Sequence, residues 1–305
     1  MTRSTLRAGA ATRLLRPLAA ATLVLASGWA AAQIKVGVTV STTGPAASLG
    51  IPERQAVALM PRKIGNTTIE HMSDKGVRKV GIIGFADAYG EGVVVEFGKI
   101  ASVRRIEVAL VERYVRTDTS VTGQVLKLIA ANPDAVLIAA SGTPAVLPAK
   151  TLRERGYKGQ IYFTDGVVNN DFLRVGAKDI EGAYLPVGPV VVAKDLPDSN
   201  PIKKVALDFT KKYEEANGKG SMNSFAAHGW NAWMMLERTL PVALKSGAKP
   251  GTEAFRAALR DSLENIKELV TTHGVMNTSK SDHMGFDQRA RVMAQIKDGT
   301  WTLAK

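Results

Sequence analysis

Val77-Arg78-Lys79-Val80-Gly81-Ile82-Ile83-Gly84-Phe85, followed by Ala86-Asp87-Ala88-Tyr89-Gly90-Glu91-Gly92, decides how the rest of the chain is read. A short, almost unbroken apolar run marks a strand buried on both faces. The residues after it predict a loop and then a helix over 91–103. The same unit recurs downstream. Strands are predicted at 106–112, 135–140, 160–163 and 182–187. Helices are predicted at 120–131, capped by Thr119 or Ser120, at 144–155, closed by Gly156, and at 172–177. Apolar strands alternating with helices specify a parallel sheet covered on both faces, and right-handed crossovers make it doubly wound.

Upstream the rhythm is broken. Ile34 to Val40 alternates like a first strand, Ser41 to Pro45 reads as a turn, and Ser48 to Met60 as a helix. No second strand follows; the chain enters Ile69 to Lys75, the tail of a helix ended by Gly76. Downstream, Val190 to Pro201 has no period and reads as a linker. Three helices follow at 202–217, 224–244 and 252–265, the second with Trp230, Trp233, Met234 and Leu236 assigned to core. Arg291 to Ile296, the turn Asp298-Gly299 and Trp301 to Leu303 form a hairpin, grouped with the first strand and the late helices. An apolar strand cannot stand alone, because its backbone donors and acceptors need partners. The first half is therefore short of strands.

Residues 1–32 address the protein. Arg3, Arg7, Arg13 and Arg16 precede a short apolar core from Leu18 to Ala26, and Ala30-Ala31-Ala32 precedes Gln33. This pattern is a cleaved secretory signal, with an uncleaved anchor or transit peptide as the alternative. The expected mature chain of about 270 residues holds one large or two modest domains. With no cysteine, thiol catalysis and zinc–cysteine or iron–sulfur sites are excluded. The net charge of +12, about +8 without the signal arginines, is spread over helix faces and not gathered into a basic stripe, which argues against nucleic acid.

Catalytic signals are sparse. His71, His228, His273 and His283 are scattered, with no HExxH, GxSxG or phosphate-binding loop. His283 beside Asp282 and near Asp287 is a metal candidate set against an ordinary surface loop. No cofactor is expected. Open α/β sheets bind ligands at the carboxyl ends of their strands. Three loops meet that description: Ala86 to Gly92, Ser141-Gly142-Thr143-Pro144 and Thr164 to Asn170. Tyr89 offers a ring with a hydroxyl, Ser141 and Thr143 small donors, and Asp165 a fixed anion, a rim suited to a small ligand with an ammonium group. Taken singly, Asp165 and Thr143 read rather as helix caps and Asp87 as a turn former; their convergence on one edge is what favours a binding site.

Val36 to Gly50, Val80 to Gly92, Arg116 to Leu126, Thr164 to Asn170, Gly285-Phe286-Asp287 and the closing hairpin together resemble the type I periplasmic binding proteins, nearest to the branched-chain amino-acid (leucine/isoleucine/valine) receptors of ABC importers. The resemblance implies an α/β fold of two doubly wound parallel-sheet lobes that close on a ligand. It implies a periplasmic, monomeric, non-enzymatic receptor that binds a small amino acid and delivers it to an inner-membrane ABC permease. By position it makes Tyr89 the ligand's aromatic contact, Asp165 the acid for the α-ammonium, Ser141, Gly142 and Thr143 the floor, and Ser48 and Leu49 the first-lobe contacts. Asp165 departs from the family's commoner Glu. That leaves open a receptor for another small ligand (an amide, a urea-like compound or an aromatic acid), with an exported hydrolase as a further alternative. The resemblance divides the chain into the signal (1–32), an incomplete first lobe (33–66 with 200–270), a complete second lobe (67–199), and a crossover and C-terminal hairpin returning to the lobes (271–305). The first lobe is truncated by about seventy to eighty residues, several βα units at about 30 residues each, including the Ser/Thr loops that clamp the carboxylate.

Overall fold

The computed structural model describes residues 67–304. The signal segment, the strand expected at 34–40, the helix expected at 48–60, and Ser48 and Leu49 lie outside the described residues.

A helix over 67–74 (α1) ends as its sequence requires. Gly76 sits at φ +77° in the left-handed region, and Val77 N–H bonds back to Met72 O at 2.9 Å. Then come β1 (Lys79–Phe85), α2 (Ala88–Val103), β2 (Glu107–Tyr114), α3 (Thr122–Ala130), β3 (Ala135–Ala139), α4 (Val146–Glu154), β4 (Gln160–Phe163), α5 (Asn170–Gly176) and β5 (Tyr184–Val187). Helices α6 (Pro201–Asn217), α7 (Ser224–Leu244) and α8 (Glu253–Leu263) follow. The two-residue strands β6 (Leu269–Val270) and β7 (Val275–Met276) pair with each other, and β8 (Val292–Lys297) and β9 (Thr300–Leu303) close the chain.

The main sheet runs β2-β1-β3-β4-β5-β8-β9, its first five strands parallel and the last two antiparallel. Pleat alternation divides it into two cores. Ile83, Phe85, Val136, Ile138, Ile161 and Phe163 face α3, α4 and α5. Val80, Ile82, Ala135 and Leu137 face α1 and α2, where Ile69, Met72, Phe97 and Ala101 are buried. Burial on both faces explains why these strands read as continuous apolar runs.

Three expectations need correction, and the segment after β5 is buried. The hairpin extends the sheet read as the second lobe: β8 pairs with β5, Val187 opposite Val292, and its Ala294 and Ile296 complete the first core. The segment after β5, read as a linker, packs inside the fold. It forms 3-10 turns (Pro189–Asp195) with Val190 and Ala193 in the α6–α7 core and Val192 and Leu196 in the sheet core. Serving two cores erased its periodicity. The N-cap position of α3 is Val121, not Thr119 or Ser120, although Ser120 Oγ accepts from the Thr122 N–H at 3.4 Å at the start of the helix. Trp233 is 53% exposed, whereas Trp230 packs on Phe209 at 5.6 Å. The buried face of α7 is set by Ser224, Ala227 and Asn231, and Trp233 lies about 200° beyond Asn231 around the helix.

Candidate functional site

The three loops singled out in the sequence do meet at the carboxyl edge of β1, β3 and β4. Asp87 caps α2, its Oδ1 accepting from the backbone N–H groups of Tyr89 and Gly90 at 3.0 Å. This fixes where the half-buried Tyr89 ring starts. Its hydroxyl donates to Thr164 Oγ1 at 2.7 Å, and the Thr164 hydroxyl donates to Ala140 O at 2.7 Å. Gly142 N–H donates to Gly166 O at 2.9 Å, joining the β3 and β4 loops. Ser141, Gly142 and Thr143 are half-buried at the same edge.

Two cap assignments fall to neighbours. Thr143 opens a short 3-10 turn whose N-cap is Gly142, without a side-chain hydrogen bond. The helix after Asp165 is capped by Asn169, whose Oδ1 accepts from Phe172 N–H at 2.9 Å. Asp165 is left free of a capping duty. Burial raises its carboxyl pKa, against an opposing pull from the positive charge of Arg291. Burial also raises Tyr89, with the Asp165 charge adding to it.

Arg116 and Arg291 escaped the sequence reading. Arg116 binds Asp87 at 2.9 Å, donates from Nη1 to Ser141 Oγ at 3.1 Å and lies 4.1 Å over the Phe85 ring, so it ties the β1 and β3 loops together. Its position just past the end of β2 was the available signal, the same one that marked the other loops.

Two of the scattered histidines come together. The rings of His228 and His273 stack at 3.7 Å. His273 also lies between Ser224 Oγ, 3.0 Å from Nε2, and Asn231 Nδ2, 2.9 Å from Nδ1. This has the outline of a nucleophile, base and orienting group, but the proton is on the wrong nitrogen. Asn231 Oδ1 accepts from Thr272 N–H at 3.0 Å, which turns its amide nitrogen toward His273. Nδ1 must then accept, and Nε2–H donates to Ser224 instead of taking its proton. Burial lowers the His273 pKa well below its usual range and that of His228 to about 4, with Arg291 repelling both protons. The metal candidate is likewise spoken for. His283 Nε2 is 3.2 Å from Glu264, Asp282 accepts from Met284 and Gly285 N–H, and Asp287 pairs with Arg289.

Outside this structure, the model of the periplasmic binding protein family matches residues 60–300. The chain belongs to the periplasmic binding protein family. Its mixed sheet with helices on both faces is the type I fold of this family. An extracellular ligand-binding receptor from Rhodopseudomonas palustris HaA2 is 41% identical to this periplasmic binding protein, with a TM-score of 0.77 over 80% of this chain and 68% of that one. Two more distant structures share the fold. The leucine binding protein LivK of Thermotoga maritima is 20% identical, with a TM-score of 0.62 over 83% of this chain and 65% of that one. An ABC-transporter solute binding protein of R. palustris in complex with benzoate is 18% identical, with a TM-score of 0.63 over 80% of this chain and 62% of that one. No curated protein sequence matches. Family members are solute-binding receptors that take small molecules and work with ABC permeases.

Proposed function

We propose that this periplasmic binding protein is an exported, monomeric solute-binding component of an ABC importer, with no catalytic role. Its ligand docks a polar end against Tyr89, Ser141, Gly142, Thr143 and Asp165. One observation carries this reading: the edge is cross-braced by Tyr89–Thr164, Gly142–Gly166 and Arg116–Ser141, yet the half-buried Asp165 carboxylate accepts from no side chain among the described residues. A branched-chain amino acid would place its α-ammonium there. Arg291 favours the second reading, a small amide, urea-like compound or aromatic acid, because its charge already acts on Asp165 and opposes an ammonium. Ser48 and Leu49 belong to the opposing lobe in this proposal.

The proposal also retains the internal deletion. About a third of the R. palustris HaA2 receptor's length lies outside the match, which supports it. Loss of the Ser/Thr loops removes charge-assisted bonds of about 1.5–3 kcal/mol each, so an amino acid binds orders of magnitude more weakly than to a complete receptor. Titration calorimetry of the refolded chain with leucine, isoleucine, valine and small amides tests both parts. Millimolar binding that Asp165→Asn abolishes is expected. Micromolar binding of leucine would remove the missing-clamp argument, and binding indifferent to Asp165→Asn would remove the assigned edge.

A further inference from the structure

We infer that Arg291 is a ligand-contact residue and that, together with Asp165, it selects a ligand ending in a neutral hydroxyl or primary amide. The inference rests on the receptor reading above and names the ligand class. Arg291 immediately precedes β8, and its side chain is half-buried. A guanidinium carries five N–H donors. Among the described residues it spends one, from Nη1 to Ala290 O at 2.8 Å. Its Nε is buried with no partner. A buried donor left unsatisfied is costly, and such atoms in a folded protein call for an explanation.

The neighbouring residues do not supply the missing acceptor. His273 has its Nδ1 committed to Asn231 and its Nε2 to Ser224. His228 is stacked on His273 and, like it, is held neutral by burial, with the Arg291 charge adding to the effect. Asp165 is the acid that feels the Arg291 charge, yet no hydrogen bond or ion pair joins the two. The sheet register sets the two at one edge: Tyr162 of β4 pairs with Tyr184 of β5 and Val187 of β5 with Val292 of β8, so Arg291 at the start of β8 and Asp165 just after β4 stand at the same carboxyl edge, a donor without a partner and a carboxylate that no described side chain engages.

Four ligand ends can be compared there. An ammonium donates to Asp165 but leaves Arg291 unsatisfied and repelled. A carboxylate satisfies Arg291 and is repelled by Asp165. A hydroxyl or a carboxamide accepts from Arg291 and donates to Asp165, serving both without adding charge.

The test uses the full chain, 15N-labelled, with four ligands sharing one ring: benzyl alcohol, benzamide, benzylammonium and benzoate. NMR follows the Arg291 Nε–H signal, assigned by its loss in Arg291→Lys (or Arg291→Gln should that variant not fold), together with the Ser141–Thr143 amides. Benzyl alcohol and benzamide are expected to shift both sets, the tighter of the two identifying hydroxyl or amide as the preferred end. Benzylammonium and benzoate are expected to bind about tenfold more weakly or worse, and Arg291→Lys to weaken the neutral pair by about tenfold. Equal affinity across the four ends, or shifts at Ser141–Thr143 with the Arg291 signal unmoved, would overturn the inference and leave the receptor reading standing. Silence at both places would overturn the receptor reading and the inference with it.

Discussion

Replacing Gly166 by alanine should wedge apart the two loops that present Tyr89 and Ser141. A Cβ built on Gly166 lies 2.6 Å from the Tyr89 hydroxyl oxygen, 3.2 Å from its Cζ and 2.8 Å from Ser141 Cβ. Gly166 is not among the positive-φ glycines, so the cost comes from crowding and not from backbone strain. Tyr89 cannot swing clear cheaply, because its hydroxyl is held at 2.7 Å by Thr164, itself bonded at 2.7 Å to Ala140 O. Overpacking of this kind costs about 1–3 kcal/mol. Tyr89→Phe alone removes the hydroxyl and should cost about 1 kcal/mol, the worth of a typical hydrogen bond. In the double variant the 2.6 Å contact is gone while the Ser141 contact and the looser 3.2 Å contact to Cζ remain, so the two penalties should sum to less than their separate values by about 1 kcal/mol. Urea unfolding of the four proteins at 25 °C measures this. Additivity within about 0.3 kcal/mol would show that Gly166 and Tyr89 do not press on each other.

Two further outcomes follow from the same geometry. Because His228 titrates at about 4 in the fold and His273 is also lowered, both against an ordinary value of 6.5, the unfolded chain takes up protons that the folded chain refuses. Their contribution is fully present above pH 6.5 and is lost progressively as pH falls toward 4; urea midpoints that are identical at pH 7.5 and 5.0 would contradict it. Arg116→Ala removes a half-exposed brace, so it should cost only about 0–1 kcal/mol of stability while raising amide hydrogen exchange at Tyr89 and Gly142. Unchanged exchange there would show that the brace is idle.

Much of the binding edge was legible because strand ends announce themselves. Phe85, Ala139 and Phe163 close apolar runs, and the polar residues just beyond them had to lie at one edge of a parallel sheet. Tyr89, Ser141 and Asp165 were found that way. Arg116 and Arg291 were not, for different reasons. Arg116 follows an outermost strand whose end was placed two residues early, at Glu112, because Glu112 and Arg113 interrupt its apolar run before Tyr114. Arg291 reaches the edge from a strand more than a hundred residues later, a closeness that no local pattern encodes. The same limit hid the His228–His273 stack and the two-residue strands β6 and β7, whose length is below any detectable period.

Sequence alone determined the alternation of strand and helix from 77 to 187, since a strand buried on both faces and a helix buried on one leave distinct hydrophobic periods in the chain. Sequence also marked the ends of those strands, and with them the loops where a ligand can dock. Tertiary structure alone decided that the C-terminal hairpin extends this sheet beside β5, that the apparent linker is buried between two cores, and that Arg291, at the start of β8, stands at the carboxyl edge of the sheet. Those facts depend on contacts between residues distant along the chain, where burial and charge act through space and leave no mark on neighbouring residues.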